Sequence, residues 1–349
     1  MEPINNSVEE FERIKSKLVN GRYENPFGHI VSTSEVFSWF RKRRQFHPIK
    51  PLTEHEKTVL HPVLKPDFQL LSSEYNHETT IRSTWIGHST VLVQIEGYNF
   101  LTDPVWSERC TPFPSLPLGP ARYTKPACKI SELPKIDFVV ISHTHYDHLD
   151  HNSVCEINKI FKPKFFVPFG MKQWFLDSGI TDVEELDWWQ ETTFKDNLKL
   201  IYTPVNHSSQ RGLLDKNKTL WGGWIVKGKH QSFYFAGDTA YNDKLFKVIG
   251  HHYGPFNFAL IPIGAYDMVR EFMRHNHIDP EEAVRIHKEI KSKRSFGVHW
   301  GTFILTCEPL LEPPKKLYEE SQKQGLKENE FFVSKIGETN IQSENFKEL

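Results

Sequence analysis

Residues 136–150 read IDFVVISHTHYDHLD, an apolar segment that runs directly into three histidines and two aspartates. A short continuous apolar run suits a strand covered on both faces. The titratable residues begin where that strand ends. Within them, His143, His145, Asp147 and His148 form the pattern H-x-H-x-D-H. On a tight loop, positions two apart can point their side chains the same way, while an adjacent pair can serve two neighbouring centres. Neutral imidazole and carboxylate together suit a borderline divalent cation such as zinc. The alternative is a polar loop of solvated histidines, but a motif this dense has a low false-positive rate.

Four side chains shared between two ions leave each ion incompletely held, so further ligands are expected. Three stand just past strand-like runs: His207 after LIYTPVN, Asp238 after SFYFAG and His299 after SFGV. Strand ends are where open α/β sheets place their sites. Taken singly, each of the three reads as a hydrogen-bonded structural residue. Taken with the first cluster, the order H-x-H-x-D-H … H … D … H is far more specific.

The rest of the chain fits a layered α/β protein. From Arg82 onward, STWIGH, STVLVQIE and YNFLTDP read as a meander, with EGYN turning the last two strands. KFFVPF, LKLIYTPV, LWGGWIVKG, QSFYFAGD, FNFALIPIG, RSFGVHWG and EFFVSKI are further strand candidates. NSVCEINKIF reads as a helix capped by Asn152. DPEEAVRIHKEIKS has Asp279 as cap, Pro280 at the first helical position and acids in the first turn.

Residues 1–80 differ from the remainder, 81–349, and read as an N-terminal helical and irregular arm packed on the main domain. SVEEFERIKSKL carries a capping signal at Ser7 and Glu10. VFSWFRKRR places Val36, Phe37, Trp39 and Phe40 beside Arg41, Lys42, Arg43 and Arg44. Such a segment suits an anionic membrane interface. Equally, it reads as a helix with aromatics packed on the main domain and arginines in solvent.

Composition sets limits. The chain has 349 residues, 38% of them hydrophobic and 25% charged, which is globular composition. A formal net charge of −1 gives no global basic field for nucleic acid. Cys110, Cys128, Cys155 and Cys307 include no C-x-x-C pair and fit neither a disulfide framework nor a thiolate zinc site. The N-terminal MEPINNSVEEFERIK lacks the features of a signal peptide, and no apolar run approaches a membrane span. The expectation is an intracellular protein, cytoplasmic or peripheral to internal membranes.

The ligand order resembles the metallo-β-lactamase superfamily. LPKIDFVVISHTHYDHLDHNSV, ELDWW, LWGGWIV, FYFAGDTAY, GPFNFALIPIGAY, HIDPEEAVRIH, HWGTF and LEPPKKL are closer still to its N-acyl-phosphatidylethanolamine-hydrolysing phospholipase D branch. So are NGRYENPF, VLKPDF and LTDPVWS, so the likeness runs from about residue 20 to about residue 338. The resemblance implies a four-layer αβ/βα sandwich with two zinc ions per subunit. One ion would be held by His143, His145 and His207, the other by Asp147, His148 and His299, with Asp238 bridging the two. No ligand position departs from the pattern. It also implies a phospholipid substrate, peripheral membrane contact and a homodimer.

A dinuclear site lowers the pKa of a shared water enough to make hydroxide near neutral pH. The expected reaction is attack of a bridging hydroxide on the phosphorus of a phosphodiester. With the family's substrate, the products are phosphatidic acid and an N-acylethanolamine. Asp147 is then a catalytic ligand. His277, in HNHIDPEEA, is a candidate proton donor or substrate contact, or else a capping or surface histidine. Tyr146 reads as a phosphate contact or a packing residue. Asp103 in FLTDP reads as a partner that orients a ligand histidine, or as a turn residue before Pro104; His88 in IGHST is a similar, weaker candidate. Trp188 and Trp189 either line an acyl groove or pack in the core. Two other functions remain open: a related hydrolase of another phosphodiester, a lactone or nucleic acid, and a noncatalytic metal-stabilised interaction protein. The neutral charge weighs against nucleic acid, and the complete ligand set against the noncatalytic reading.

Overall fold

A computed structural model of the chain describes residues 14–28, 34, 38, 41, 42, 49–112, 116–195, 197–266 and 270–343. Along its central strands, side chains alternate between two apolar cores, as the two-residue period of a strand requires. In Thr90–Ile95, Val91 and Val93 enter one core and Leu92 the other. In Phe138–Val140, Phe138 and Val140 face the first core and Val139 the second. This explains why the decisive stretch is apolar without interruption: both of its faces are covered.

The described residues before the main body include a two-stranded ribbon, β1 (Leu18–Val19) and β2 (Arg22–Tyr23), a π-helical turn at Glu56–Leu60 and α1 (Phe68–Ser72). The first half of the main body contains β3 (Thr80–Gly87), β4 (Thr90–Ile95), β5 (Tyr98–Thr102), β6 (Phe138–Val140), α2 (His151–Phe161), β7 (Lys164–Pro168), α3 (Lys172–Asp177) and β8 (Val183–Leu186). The second half contains β9 (Glu191–Phe194), β10 (Leu198–Pro204), β11 (Gly222–Lys227), β12 (Ser232–Phe235), α4 (Leu245–His252), β13 (Phe258–Pro262), α5 (Arg270–Met273), α6 (Pro280–Glu289), β14 (Ser295–Val298), α7 (Glu312–Lys323), β15 (Phe331–Phe332) and β16 (Thr339–Ser343).

Two seven-stranded mixed sheets result, ordered β16-β3-β4-β5-β6-β7-β8 and β15-β14-β13-β12-β11-β10-β9. In each, one end is antiparallel and the other parallel: β5, β6, β7 and β8 run parallel in the first sheet, and β12, β13, β14 and β15 in the second. Val154, Ile157 and Phe175 from α2 and α3 cover the outer face of the first sheet. Leu245, Phe246, Ala283, Val284 and Ile286 from α4 and α6 join the core of the second. The architecture is therefore the expected four-layer αβ/βα sandwich. Phe100 and Phe138 stack at 4.7 Å between the sheets, and each is fully buried. Replacing either with Ala would cost about 3–5 kcal/mol.

The start of α6 follows the sequence signals. Asp279 accepts from the Glu282 amide at 3.0 Å, Glu282 reaches back to the Asp279 amide, and Pro280 occupies the first turn. The start of α2 differs from expectation. The cap position is Asp150, not Asn152, and the helix runs from His151. Asp150 does not cap the helix amides with its side chain; its carboxylate accepts from the Ser107 amide and hydroxyl and from Ser153. It ties the start of the helix to the loop after β5.

Several described residues of the 1–80 segment contact the main body. Tyr23 and Leu71 each enter one of the two cores. His61 Nε2 lies 2.8 Å from the Gly301 carbonyl, and the Leu64 amide donates to Ile336. Ser7, Glu10, Val36, Phe37, Trp39, Phe40, Arg43 and Arg44 lie outside the described residues. Among the described residues, no helix is long and apolar enough to cross a membrane.

Candidate metal centre

The loops at the strand ends bring the histidines and aspartates together. After β6, the chain makes no regular element until α2, and the carbonyl of His145 accepts from the amides of His148 and Leu149. This tight turn sends His143 and His145 to one side and Asp147 and His148 to the other. His207 arrives after β10, Asp238 after β12 and His299 immediately after β14.

Two groups form. His145 Nδ1 lies 2.8 Å from His143 Nε2 and 3.2 Å from His207 Nε2. Asp147 Oδ2 lies 3.5 Å from His148 Nε2 and 3.4 Å from His299 Nε2. Asp238 Oδ2 sits between the two groups. It is 4.0 Å from His143 Nε2 and 3.9 Å from His207 Nε2 on one side. On the other it is 3.1 Å from His148 Nε2 and 3.0 Å from His299 Nε2.

Surrounding hydrogen bonds aim these nitrogens. Asp103 Oδ2 lies 2.6 Å from His148 Nδ1 and takes the Ser142 hydroxyl proton at 2.5 Å. A carboxylate only accepts, so His148 carries its proton on Nδ1 and turns the Nε2 lone pair inward. Ser142 has spent its single proton on Asp103, so its contact with His143 Nδ1 at 2.9 Å must be donated by the imidazole. His143 Nε2 is thereby also a lone pair. His207 Nδ1 donates to the Asn276 carbonyl at 2.8 Å with the same result. Outer partners that fix tautomers in this way are the usual support of metal-ligating histidines.

The residues fit a cation. His148 Nε2, His299 Nε2 and Asp238 Oδ1 are buried without a hydrogen-bond partner. Leaving such atoms unsatisfied is costly, about 1–3 kcal/mol each for neutral groups and more for charged ones. Imidazole nitrogens and carboxylate oxygens converging on one buried centre are the donor set a divalent ion takes. Backbone geometry points the same way. His88, Asp103 and His299 have φ of 54°, 35° and 63°, the left-handed region that such residues rarely adopt. Strain of this kind concentrates at functional sites.

The remaining candidates also have definite places. His88 lies inside the cluster, with Nε2 3.2 Å from Asp147 Oδ2 and its ring 4.2 Å from that of His299. His277 stands between His207 and His299, with ring centroids 5.2 and 5.3 Å away and Nδ1 3.7 Å from Asp238 Oδ2. Burial pushes its pKa down to about 4, so its imidazole is neutral at pH 7. Tyr146 donates its hydroxyl to the Arg211 carbonyl, and its ring lies under the Arg211 guanidinium at 4.1 Å. Trp188 is a core residue bonded to the Trp221 carbonyl. Trp189 donates to the Ile14 carbonyl and stacks near Tyr253.

Sequence reasoning missed Arg211. Its guanidinium donates to the carbonyls of Thr144 and Leu149, at 3.0 and 2.6 Å, so it clamps the loop of His143–His148 from the segment that carries His207. One arginine ties two ligand-bearing loops together. No local motif signals it, because its partners are backbone carbonyls of a distant segment.

Comparison with known proteins places this geometry. A family described as a beta-lactamase superfamily domain matches residues 98–300. The chain is 44% identical over 302 residues to N-acyl-phosphatidylethanolamine-hydrolyzing phospholipase D 1 of Caenorhabditis elegans, covering 82% of this chain and 84% of the relative. It is 32% identical to the mitochondrial N-acyl-phosphatidylethanolamine-hydrolyzing phospholipase D of Saccharomyces cerevisiae, over 92% of this chain and 75% of that one. Among solved structures, the metallo hydrolase Igni18 of Ignicoccus hospitalis superposes with a TM-score of 0.57 at 24% identity, over 75% of this chain and 98% of that one, a likeness of fold.

The fold and the His/Asp centre define a metal-dependent hydrolase of the metallo-β-lactamase class. More narrowly, the chain belongs to the N-acyl-phosphatidylethanolamine-hydrolysing phospholipase D family.

Proposed function

We propose that this hydrolase cleaves N-acyl-phosphatidylethanolamine to phosphatidic acid and an N-acylethanolamine, using two zinc ions per chain at the interface of a membrane. Water adds its oxygen to phosphorus, the bond from phosphorus to the ethanolamine oxygen breaks, and that oxygen takes up a proton. The observation that supports the reading most is Asp238 Oδ2, placed 3.0 to 4.0 Å from a nitrogen of each of four histidines drawn from both groups. The two relatives reported above carry the substrate in their names.

In this reading, His143, His145 and His207 would hold one cation, Asp147, His148 and His299 the other, and Asp238 would serve both. Divalent cations bound there would supply the acidity that makes water a nucleophile near pH 7 and the positive charge that phosphoryl oxygens need. The chain supplies position. Asp103 holds His148 directly and His143 through Ser142, the Asn276 carbonyl holds His207, and Arg211 fixes the loop between them. His277 is neutral at pH 7, so it acts as an N–H donor to a substrate oxygen near Asp238 rather than as an imidazolium acid. Tyr146 supports Arg211 with its hydroxyl and ring, the packing role of its two readings.

Zinc analysis and hydrolysis of radiolabelled N-acyl-phosphatidylethanolamine, run on one preparation, test the proposal. Two zincs per chain with release of N-acylethanolamine support it. A zinc-replete protein that cleaves only soluble phosphodiesters or lactones refutes the substrate.

A further inference from the structure

The loop that follows His207 carries the most exposed large apolar side chains among the described residues: Leu213 at 96% and Leu214 at 79%. Two consecutive leucines in water are a poor use of apolar surface unless something covers them. The loop beneath them is firmly built. The Asp215 carboxylate accepts from the amides of Arg211 and Gly212, and the Lys218 amide donates to the Asp215 carbonyl. Asn217 bonds to Ser209 and exchanges hydrogen bonds with Tyr23. The Arg22 guanidinium reaches the carbonyls of Leu214 and Lys216. The leucines are thus held outward by a braced turn.

The exposed charges of the loop itself are basic, and the nearest acids off the loop have partners: Glu24 pairs with Lys17, and Glu185 accepts from the amides of Gly170 and Lys172. Arg22, Lys216 and Lys218 are exposed, while Asp215, the acid of the turn, spends its carboxylate on backbone amides. Apolar tips ringed by cations match a bilayer with anionic headgroups: the leucines enter the acyl boundary and the basic groups meet phosphate.

We propose that the 211–218 loop is a membrane-insertion tip, with Leu213 and Leu214 as its apolar anchor and Arg22, Lys216 and Lys218 as its headgroup contacts. The proposal rests on the lipid substrate assigned above, but it adds a surface and a consequence. Leu213 stands six residues after the buried candidate ligand His207, and Arg211 at the base of the loop grips the carbonyls of Thr144 and Leu149. Docking this tip therefore brings the metal centre to the bilayer surface through one short, rigid connection. The aromatic and basic segment at residues 36–44 is a separate candidate contact.

The test is the double substitution Leu213→Ser/Leu214→Ser in the zinc-loaded full chain, with Tyr318→Ser, exposed at 66% on α7, as control. Partition is measured by sedimentation with vesicles of phosphatidylcholine and phosphatidylglycerol that contain no N-acylated lipid. The expected result is roughly a tenfold or greater loss of partition for the double variant, from the apolar area withdrawn, and none for the control. Hydrolysis of bilayer substrate falls in parallel, while turnover of detergent-dispersed substrate and zinc content stay unchanged. Wild-type partition by the double variant overturns the proposal. A change in oligomeric state with unaltered partition also overturns it and assigns the leucines to a second copy of the chain. Because the vesicles hold no substrate, failure of the lipid-hydrolase reading shows separately, as a zinc-loaded wild type that does not release N-acylethanolamine.

Discussion

The two halves of the metal centre share one loop but differ in charge. His143, His145 and His207 form an all-imidazole group, and burial pushes His143 and His207 well below the usual histidine range. These rings are neutral and ready to donate lone pairs. The other half contains Asp147 beside His148 and His299. Burial opposes charge there too, but His148, foremost among the surrounding histidines, holds the Asp147 carboxyl well below the carboxylate range. In return, against the pull of burial, Asp238 and Asp147 raise His148 well above its ordinary range and His299 to about 9. Without a cation, protons on these two histidines balance the buried carboxylates. Under the proposed assignment, one half is preset for a cation, while the other would have to exchange protons for it.

The largest expected effect comes from removing what both halves share. Asp238→Asn should lower lipid turnover by on the order of 10²–10³-fold or more, with zinc content reduced and the melting transition retained. Full activity at normal zinc content would show that the halves do not depend on a common carboxylate. Asp103→Ala comes next. It frees His148 directly and His143 through Ser142, and should weaken zinc binding about 10–100-fold, read by competition with a chelator. Unchanged affinity would separate the Asp103 network from the centre.

The charge difference itself predicts a pH dependence. Under the proposed assignment, zinc entering the Asp147 half would have to expel protons from His148 and His299. Its affinity should rise with pH between the ordinary histidine value and about 9, by about tenfold per unit for each proton released. The all-imidazole half should show no such rise above neutral pH. For the metal-free protein the sign reverses. Raised histidine pKa values stabilise the fold below the unfolded value and lose that contribution as pH climbs through the folded one. Its melting temperature should therefore fall as pH rises from about 6.5 towards 9. Calorimetry that finds a pH-independent melting temperature would contradict the proton balance. The smallest effect belongs to Asp279→Ala, which removes the cap of α6 and should cost about 1 kcal/mol, with kcat altered only through the neighbouring His277.

Much of this was legible in the sequence because it is local. The H-x-H-x-D-H loop, the EGYN turn that becomes the two-residue link between β4 and β5, and the Asp279–Pro280 helix start each declare themselves within a few residues. Strands such as β8, β9 and β16 gave no such signal, because VEEL, ETTF and TNIQS are polar edge or near-surface segments with no apolar alternation. The cap of α2 was misplaced for a similar reason. Asn152 has a capping side chain, but the cap position belongs to Asp150, whose carboxylate serves a distant loop. Non-local supports were the least visible. Arg211 acts through two carbonyls and His207 is oriented by a third, and a carbonyl has no residue type to read.

A pair of cations joined by one carboxylate is what the proposed function stands on. Anomalous diffraction at the zinc edge, from crystals grown with zinc, would locate them. Two peaks per chain are expected, one among His143, His145 and His207, the other among Asp147, His148 and His299, with Asp238 touching both. A single peak, or peaks away from these seven side chains, would contradict it.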